Sequence, residues 1–337
     1  MHRIELINAV SRTLARAGFY VSDVCDLRPV SFDIVARRDN QLFIIKVLTN
    51  IDAFSESVAH ELKMLSKVLK GAPLLIGSHS GSGPLEDEVV YLRYDVPLMT
   101  YGTFHDYVVD GVAPLVYAAS GGYYVKLNGA EMRRIRDEMG LSLGEVAEAI
   151  GVSRRAIGMY EEGMNAKIDV AARLEEFLLE RLEPQASRPA RATAFSSLVR
   201  GFDPFSAMRE IWKEVNTTMQ ELLDMQDDMF RKLSGMGYEL VPTRRSPFSM
   251  VMEEKERDDN VLLSGVGGED RNLAKRARIV ANLSSVTEKP AVFFVEKIEK
   301  DNIGGTPIIR KRELVRINGP EELMELILER RKRKAEP

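Results

Sequence analysis

Apolar residues recur with helical and strand periods in the first third of the chain. Across Ile4–Leu14 an apolar side chain returns every three or four residues, which predicts an amphipathic helix. Residues 31–38 and 41–48 read as two strands that meet in a turn at 39–40. The further elements predicted here are a helix at 57–71 that ends at Gly71 and strands at 73–78 and 96–102. This order predicts a mixed sheet flanked by helices within residues 1–120.

The same order of elements recurs near the C-terminus. A helix that ends near Gly237 is followed by two strands around a turn at 259–260. Three later segments match elements of the first region in the same order. The helix at 272–286 matches that at 57–71, the strand at 291–297 matches that at 73–78, and residues 313–323 match 96–106. The recurrence indicates an internal duplication, so that residues 235–337 form a C-terminal α/β domain that repeats the first. Two unrelated α/β domains with a similar element order are the alternative.

Between these regions the pattern is purely helical, and polar caps and glycines divide it into three short helices. Asn128 with Glu131 and Ser142 with Glu145 have capping-box spacing, and Ser153 can cap the third helix. The glycines that end the three helices are Gly140, Gly151 and Gly163. The predicted core of the cluster is Ile135, Leu141, Val146, Ala147, Ile150, Val152 and Ile157. Residues 125–182 are therefore predicted to form a compact helical domain.

A heptad pattern follows a segment rich in proline, alanine, serine and arginine at 183–202, which is typical of a linker. Within 203–234, apolar residues follow 3-4 spacing, which predicts one long helix. The residues assigned to a dimerisation seam are Met208, Trp212, Val215, Met219 and Leu222. Packing of this face on the chain's own sheet is the alternative, and it is the expected arrangement for the last two turns.

The composition of the 337 residues is that of a globular protein, with 45% hydrophobic and 29% charged residues. No apolar run reaches the roughly 18 residues of a membrane span, and the N-terminus lacks the features of a signal peptide. A single cysteine, Cys25, favours a reducing, cytoplasmic location. The histidines are scattered, so that neither a metal site nor any other cofactor is expected.

The helical stretch from 128 to 182 resembles the Cro/cI family of lambda-repressor-like helix-turn-helix domains, of the kind found in multidomain archaeal regulators. The features that carry the resemblance are Ala147 in the second helix, Gly151 in the turn, Ser153 at the start of the third helix and the closing sequence YEEG at 160–163. The family places its third helix, here 153–162, in the major groove of double-stranded DNA. Arg154, Arg155 and Met159 are then expected to face bases, and Ser153 a phosphate. The interface implied by the resemblance also includes Ser142, Leu143 and Gly158, with an Arg136–Glu161 pair behind it.

Charge is unfavourable for such an interface. The net charge of the chain is -4, and residues 128–182 contain eight basic against eleven acidic side chains. Leu143 also replaces the polar residue with which the family holds a phosphate. We expect a homodimer to double the phosphate contacts, and Arg188, Arg191 and Arg200 of the linker to add to them. A helical module that contacts protein instead of DNA is the alternative.

The strand pair at 31–48 weakly resembles restriction-endonuclease-like folds, especially Holliday junction resolvases. The resemblance rests on Asp33 and Lys46, with Glu5 as the resolvase-type glutamate of the first helix, but Ile44 occupies the position of the second metal-binding acid. In the second copy, Ser249 aligns with Asp33 and Gly265 with Lys46. Both copies are therefore predicted to be inactive derivatives. An active nuclease would need Glu56 or Glu61 as a relocated ligand.

These patterns together predict an α/β plus all-α protein in which a central, five-helix-type helix-turn-helix domain lies between two similar, degenerate endonuclease-like α/β domains. The predicted function is that of a sequence-specific, dimeric, DNA-binding transcriptional regulator rather than an enzyme. The alternative function is a metal-dependent, structure-specific DNA nuclease of the resolvase type.

Overall fold

The computed structural model describes residues 2–181, 198–215, 228–267 and 272–332 of a mixed α/β protein. The described chain divides into two compact units. The first, here called the α/β unit, comprises Met1–Gly83, Tyr94–Val96 and Pro204–Pro337. The second, here called the central unit, comprises Pro84–Arg93 and Pro97–Asp203. Among the described helices, none combines the length and the hydrophobicity that a transmembrane span requires.

The N-terminal lobe of the α/β unit follows the predicted order of elements. Its elements are α1 (Arg3–Arg16), β1 (Tyr20–Val21), β2 (Ile34–Arg38), β3 (Gln41–Val47), a 3-10 turn (Ile51–Ala53), α2 (Glu56–Leu69) and β4 (Ala72–Ile76), followed by the short strands β5 (His79–Ser80) and β6 (Gly83–Pro84). Strands β2 and β3 are antiparallel around the turn at Asp39, whose φ is 51°, and β3 pairs with β4 in parallel. Helix α2 ends at Leu69, two residues before the predicted end, because Lys70, not Gly71, adopts the left-handed conformation.

The elements that follow belong mostly to the central unit. They are β7 (Val89–Arg93), β8 (Val96–Met99), α3 (Tyr101–His105) with a π-helical turn (Asp106–Asp110), β9 (Val116–Ala119), β10 (Gly122–Leu127), α4 (Gly129–Glu138), α5 (Leu143–Ile150), α6 (Arg154–Glu161), β11 (Ala166–Lys167), α7 (Ile168–Arg181) and β12 (Val199–Arg200). Strand β10 pairs antiparallel with β9, β11 and β12. The helices α4 to α7 pack against this small sheet around one apolar core.

The C-terminal lobe of the α/β unit contains α8 (Pro204–Glu214), α9 (Asp228–Gly235), β13 (Tyr238–Pro242), β14 (Met250–Glu254), β15 (Arg257–Gly267), α10 (Leu273–Thr287), β16 (Ala291–Val295), β17 (Asn302–Ile303), β18 (Thr306–Arg310), α11 (Lys311–Leu314) and α12 (Pro320–Lys332). As in the first lobe, β14 and β15 are antiparallel and β15 pairs with β16 in parallel. Strand β18 adds a further parallel neighbour to β16.

Two details of this lobe differ from the sequence predictions. The turn between β14 and β15 lies at Lys255 and Glu256, and residues 259–260 belong to β15, where the register with β14 shifts. A polar pair can mark a strand irregularity as well as a turn, so that the prediction at 259–260 was wrong. The strand predicted within 313–323 is also wrong. The strand is β18 at Thr306–Arg310, and residues 313–323 contribute instead to two helices.

Candidate nucleic-acid interface

The three helices α4, α5 and α6 have the predicted core. Ile135, Val146, Ala147, Ile150 and Ile157 are buried, while Leu141 and Val152 pack against them from the edge. Ser142 forms the predicted capping box at the start of α5, accepting from the Glu145 amide while the Glu145 carboxylate accepts from the Ser142 amide. The αL glycine Gly151, with a φ of 69°, ends the helix. Local interactions therefore define where α5 begins and where it ends.

The start of α4 differs from the prediction. Asn128 precedes the helix but makes no side-chain cap, and its Oδ1 accepts from Nη2 of Arg200 at 2.9 Å. Glu131 accepts from Arg134 within the same helix. The capping box predicted at Asn128 and Glu131 was therefore wrong, because a strand residue distant in sequence provides the partner of Asn128.

Helices α4 and α6 meet at Gly129. A Cβ atom on Gly129 would lie 2.2 Å from the carbonyl oxygen of Glu161, so that only glycine allows this approach. Nε of Arg136 lies 2.5 Å from Oε1 of Glu161, as the resemblance implies, and Nε of Arg133 lies 3.0 Å from Oε2. Burial opposes the charge on Glu161, but the hydrogen bonds from the two arginines outweigh it and hold the pKa of that carboxyl below its ordinary value. This buried ion-pair cluster fixes α6 against α4.

The exposed face of α6 carries two arginines at its start. Ser153 caps the helix by accepting from the amide of Ala156 at 3.1 Å. Arg154 and Arg155 are exposed, and no carboxylate in the described part of the chain lies within ion-pair distance of either. Met159 is 38% exposed, and nothing lies within 4 Å of the position that a side chain at Gly158 would take. The predicted contact residues of α6 therefore share one open surface.

The residues predicted at the start of α5 are less open. Ser142 is exposed, but its hydroxyl already accepts a hydrogen bond in the capping box. Leu143 is half-buried and packs against the core of the cluster. The departure at Leu143 thus has a structural role, and the side chain at this position offers no group that could bind a phosphate.

Part of the acidic charge of residues 128–182 is compensated by ion pairs within the fold. Of the basic residues, Arg133, Arg134, Arg136 and Arg173 are paired with carboxylates. These pairs neutralise most of the acidic side chains of α4 and α6, whereas the two arginines at the start of α6 are left outside them. Arg154 and Arg155 are thus cations that the described ion pairs leave open, which the net charge alone could not reveal.

The residues of the predicted dimerisation seam lie partly inside the α/β unit. Nε1 of Trp212 donates to Oγ of Ser66 at 2.8 Å, and Val215 is buried. Helix α8 packs against α2 and β4, with the ring of Phe205 4.6 Å from that of Phe43. Met208 is half-buried on the same helix, while Met219 and Leu222 lie outside the described residues. The first turns of the seam are thus covered by the chain itself, and the homodimer stays a prediction.

Asp33 in the N-terminal lobe is fully buried among cations. Nη2 of Arg3 lies 2.5 Å from its Oδ1, and Nη1 of Arg28 and Nζ of Lys46 both lie 3.6 Å from the same atom. The other oxygen, Oδ2, accepts from the amide of Val47 at 2.9 Å. Burial lowers the pKa of Lys46, an effect that Asp33 opposes, and Nζ of Lys46 donates to the carbonyl of Val30. Three cations therefore surround a single carboxylate.

These residues do not fit a divalent cation, which needs several oxygen ligands and few positive neighbours. Ile44 is fully buried at the position of the second acid. Glu5 is exposed and accepts from the amide of His2, while Glu56 is exposed at the start of α2. Glu61 is buried, but its carboxylate accepts from the amides of residues 244 and 245 and from the hydroxyl of Ser246. Of the two relocated ligands that an active nuclease would need, Glu61 is therefore held by contacts to residues 244–246.

The C-terminal lobe has no charged group at the positions that match Asp33 and Lys46. The amide of Ser249 donates to the carbonyl of Ser264 as that of Asp33 does to Ile45, and Oγ of Ser249 accepts from Val266 as Oδ2 of Asp33 does from Val47. These registers place Ser249 at the position of Asp33 and Gly265 at that of Lys46, as the sequence alignment predicts. A Cβ atom on Gly265 would lie 2.1 Å from the ring of Phe293, so that a lysine cannot replace it.

Sequence reasoning missed the partners that come from distant segments. Arg3 and Arg28 were not recognised as neighbours of Asp33, nor was Arg133 as a second partner of Glu161. For Arg133 a signal was available. It lies three residues before Arg136 on α4, and residues three apart share a helix face. The sequence holds no comparable signal for Arg3 or Arg28.

Two segments of the chain match known families. Residues 3–114 match the family described as PD-(D/E)XK superfamily domain, and residues 132–183 match the family described as Helix-turn-helix. No solved structure matches the chain.

Full-length relatives are also found. The chain is 36% identical over 340 residues to an HTH-type transcriptional regulatory protein of Methanosarcina acetivorans, with 98% of each chain covered. Similar proteins of the same description come from Natronomonas pharaonis, 36% identical over 331 residues with 98% of this chain and 99% of the relative covered, and from Methanococcoides burtonii, 38% identical over 333 residues with 98% of each covered.

Proposed function

The chain belongs to the family of archaeal HTH-type transcriptional regulatory proteins, and from this membership and the geometry of α6 we propose that it binds double-stranded DNA sequence-specifically and regulates transcription. Helix α6 enters the major groove in this proposal, as the third helix does in lambda-repressor-like domains. Arg154 and Arg155 face base edges, and Met159 makes apolar contact further along the helix.

The observation that carries the proposal is the pair of exposed arginines at the start of α6. A guanidinium can donate two parallel hydrogen bonds to O6 and N7 of guanine, which discriminates against other bases by about 1–3 kcal/mol. The ion pairs between α4 and Glu161 hold the helix in place, so that little ordering is required on binding. Since neither arginine has a carboxylate partner in the described part of the chain, both guanidinium groups can donate hydrogen bonds to DNA without breaking an ion pair.

We further propose that the protein binds as a homodimer and that its two α/β lobes derive from one duplicated segment. The few unpaired cations of one central unit support the dimer, because two copies double the number of phosphate contacts and so raise affinity steeply. The matching registers around Asp33 and Ser249 support the duplication. The surface that joins two copies is not assigned.

Selection from a random duplex library with the full-length protein tests this function. We expect enrichment of a palindromic site whose half-sites are about 10 base pairs apart or a multiple of that spacing, because a two-fold dimer presents two α6 helices to one face of the duplex. Failure to enrich any sequence would reject the proposed function. Enrichment of a single, asymmetric half-site would retain DNA recognition and reject the dimer.

For the α/β unit we propose a non-catalytic role, with Asp33 acting as an internal partner of Arg3 and Lys46. The change Asp33→Asn is expected to lower the free energy of unfolding by about 2 kcal/mol, because it leaves buried donors without a charged acceptor. Thermal unfolding measures this loss. Asp26→Asn, which removes the exposed partner of Lys275, is the control and should change stability by less than about 1 kcal/mol.

The wild type and the Asp33→Asn variant also distinguish this role from nuclease activity. Branched and linear DNA are incubated with the wild type and with Asp33→Asn in Mg²⁺ or Mn²⁺, and no cleavage is expected from either. Metal-dependent cleavage by the wild type that disappears in Asp33→Asn would contradict the proposed role.

A further inference from the structure

The small sheet beside the helix-turn-helix cluster presents one face to solvent. In β10, Val125 and Leu127 are buried, so that the alternate residues Tyr124 and Lys126 point to the opposite side. Residues directly opposite each other in an antiparallel pair share a face of the sheet. Lys167 of β11 lies opposite Tyr124, and Arg200 of β12 lies opposite Lys126. Strands β10, β11 and β12 thus bring Lys126, Lys167 and Arg200 to one outward surface, here called the basic face.

All three cations of the basic face are exposed. In the described part of the chain, no carboxylate lies within ion-pair distance of any of them. Two acidic residues of the central unit accept hydrogen bonds from tyrosine hydroxyls instead. Glu86 accepts from Tyr123 and Asp203 from Tyr107. The guanidinium of Arg200 donates to the neutral amide oxygen of Asn128.

The placement of Lys126 directly opposite Arg200 has an energetic cost. Like charges at directly opposed positions destabilise an antiparallel pair, typically by some tenths of a kcal/mol. No nearby carboxylate in the described residues offsets this repulsion. An anionic ligand on the basic face would offset it, because each phosphate can accept hydrogen bonds from two neighbouring cations.

The basic face is attached to the C-terminal end of α6. Strand β11 follows α6 after a connection of four residues, 162–165. The segment after β10 approaches the same end, where Gly129 contacts the backbone of Glu161. Helix α6 has eight residues and is therefore about 12 Å long. The three cations thus lie in the same compact unit as Arg154 and Arg155.

We propose that the basic face is a second contact surface for duplex DNA, which binds the phosphate backbone beside the groove that α6 enters. This inference rests on the proposed function and extends it by assigning a backbone contact to residues outside the helix-turn-helix itself. Contacts of this kind position a protein on the duplex and carry no sequence information. The basic face therefore raises affinity for every duplex, while α6 selects the sequence.

The test compares the full-length wild type with the triple variant Lys126→Gln, Lys167→Gln, Arg200→Gln. Binding to the selected site and to an unrelated duplex is measured by fluorescence anisotropy between 50 and 300 mM salt. Each phosphate contact contributes about 0.9 to the slope of log affinity against log salt, so that loss of three contacts should reduce the slope by about 2.7. Affinity for both duplexes should fall by the same factor, roughly 10- to 100-fold, and their ratio should be preserved.

Two control variants keep the result interpretable. Lys297→Gln, Lys300→Gln, Arg316→Gln removes the same charge from exposed positions of the α/β unit and should leave the slope unchanged. Lys126→Arg, Lys167→Arg, Arg200→Lys keeps the charge on the basic face and should retain the wild-type slope, which a loss of folding would not allow.

The outcomes separate this inference from the function on which it rests. If the wild type binds the selected site and the glutamine variant of the basic face keeps the full slope, or loses no more than the α/β-unit control, the basic face is not a DNA contact, although the function stands. If the wild type binds neither duplex, both are rejected. A lowered affinity for the selected site alone would assign the three residues to sequence reading and overturn the proposed division of roles.

Discussion

Replacement of Arg154 and Arg155 together by alanine is expected to lower affinity for the selected site at least about 30-fold. Two bidentate contacts to guanine are each worth about 1–3 kcal/mol, and every 1.4 kcal/mol corresponds to a factor of ten. The fold should be unaffected, because both side chains are exposed and alanine is the best helix former. Anisotropy titrations at fixed salt measure the loss, and thermal unfolding verifies that the protein is folded.

Two further variants separate the reading of bases from simple loss of charge. Arg12→Ala, Arg16→Ala removes the same charge from exposed positions of α1 and should have little effect on binding. Arg154→Lys, Arg155→Lys keeps the charge but loses the planar fork, so that it should retain binding to unrelated DNA and lose discrimination. Unchanged affinity of the double alanine variant for the selected site would refute the assignment of α6 as the reading helix.

The change Glu161→Ala is expected to lower the stability of the central unit by about 3–5 kcal/mol. The Glu161 side chain is 3% exposed, and its partner Arg136 is 14% exposed, so that removal of the carboxylate leaves a largely buried guanidinium without its charged acceptor. Because the chain has two units, the measurement is the shift of individual transitions in a thermal scan rather than one global midpoint. DNA binding should be lost at temperatures where the variant is unfolded.

The neighbouring substitution Glu162→Ala is the matched control, since Glu162 is exposed and none of the described ion pairs includes it. It should change stability by no more than about 0.5 kcal/mol. If Glu161→Ala were no more destabilising than Glu162→Ala, the ion-pair cluster would not be what holds α6 against α4.

The lowered pKa of Glu161 adds a dependence on pH to this prediction. A carboxyl whose folded pKa lies below its unfolded value stabilises the fold fully above the unfolded pKa, which is about 4.3 for glutamate. That stabilisation is lost as the pH falls through the lowered folded value. Acid unfolding of the central unit should therefore be less steep in Glu161→Gln than in the wild type.

The helix-turn-helix cluster could be predicted closely from sequence because its boundaries are set by local interactions. The Ser142–Glu145 box joins residues three apart, and Gly151 ends α5 through its own backbone conformation. The same reasoning failed at Asn128, whose partner Arg200 is 72 residues away. In the C-terminal lobe, the Asp259–Asn260 pair satisfied the local rule for a turn, but the pairing of β14 with β15 placed the turn at Lys255 and Glu256 instead.

By itself the sequence determined the main helices and strands of the N-terminal lobe, the helix-turn-helix and the absence of a second metal-binding acid at Ile44, because each depends on neighbouring residues or on residue identity alone. Apart from the Arg136–Glu161 pair, which the family resemblance implied, only the tertiary structure decided which charges are paired. It placed Glu61 against residues 244–246, more than 180 positions away, and it brought Lys126, Lys167 and Arg200 together from three separate strands. Electrostatic interactions depend on distance in space, and a chain of this length allows too many such pairings for the sequence pattern to select one.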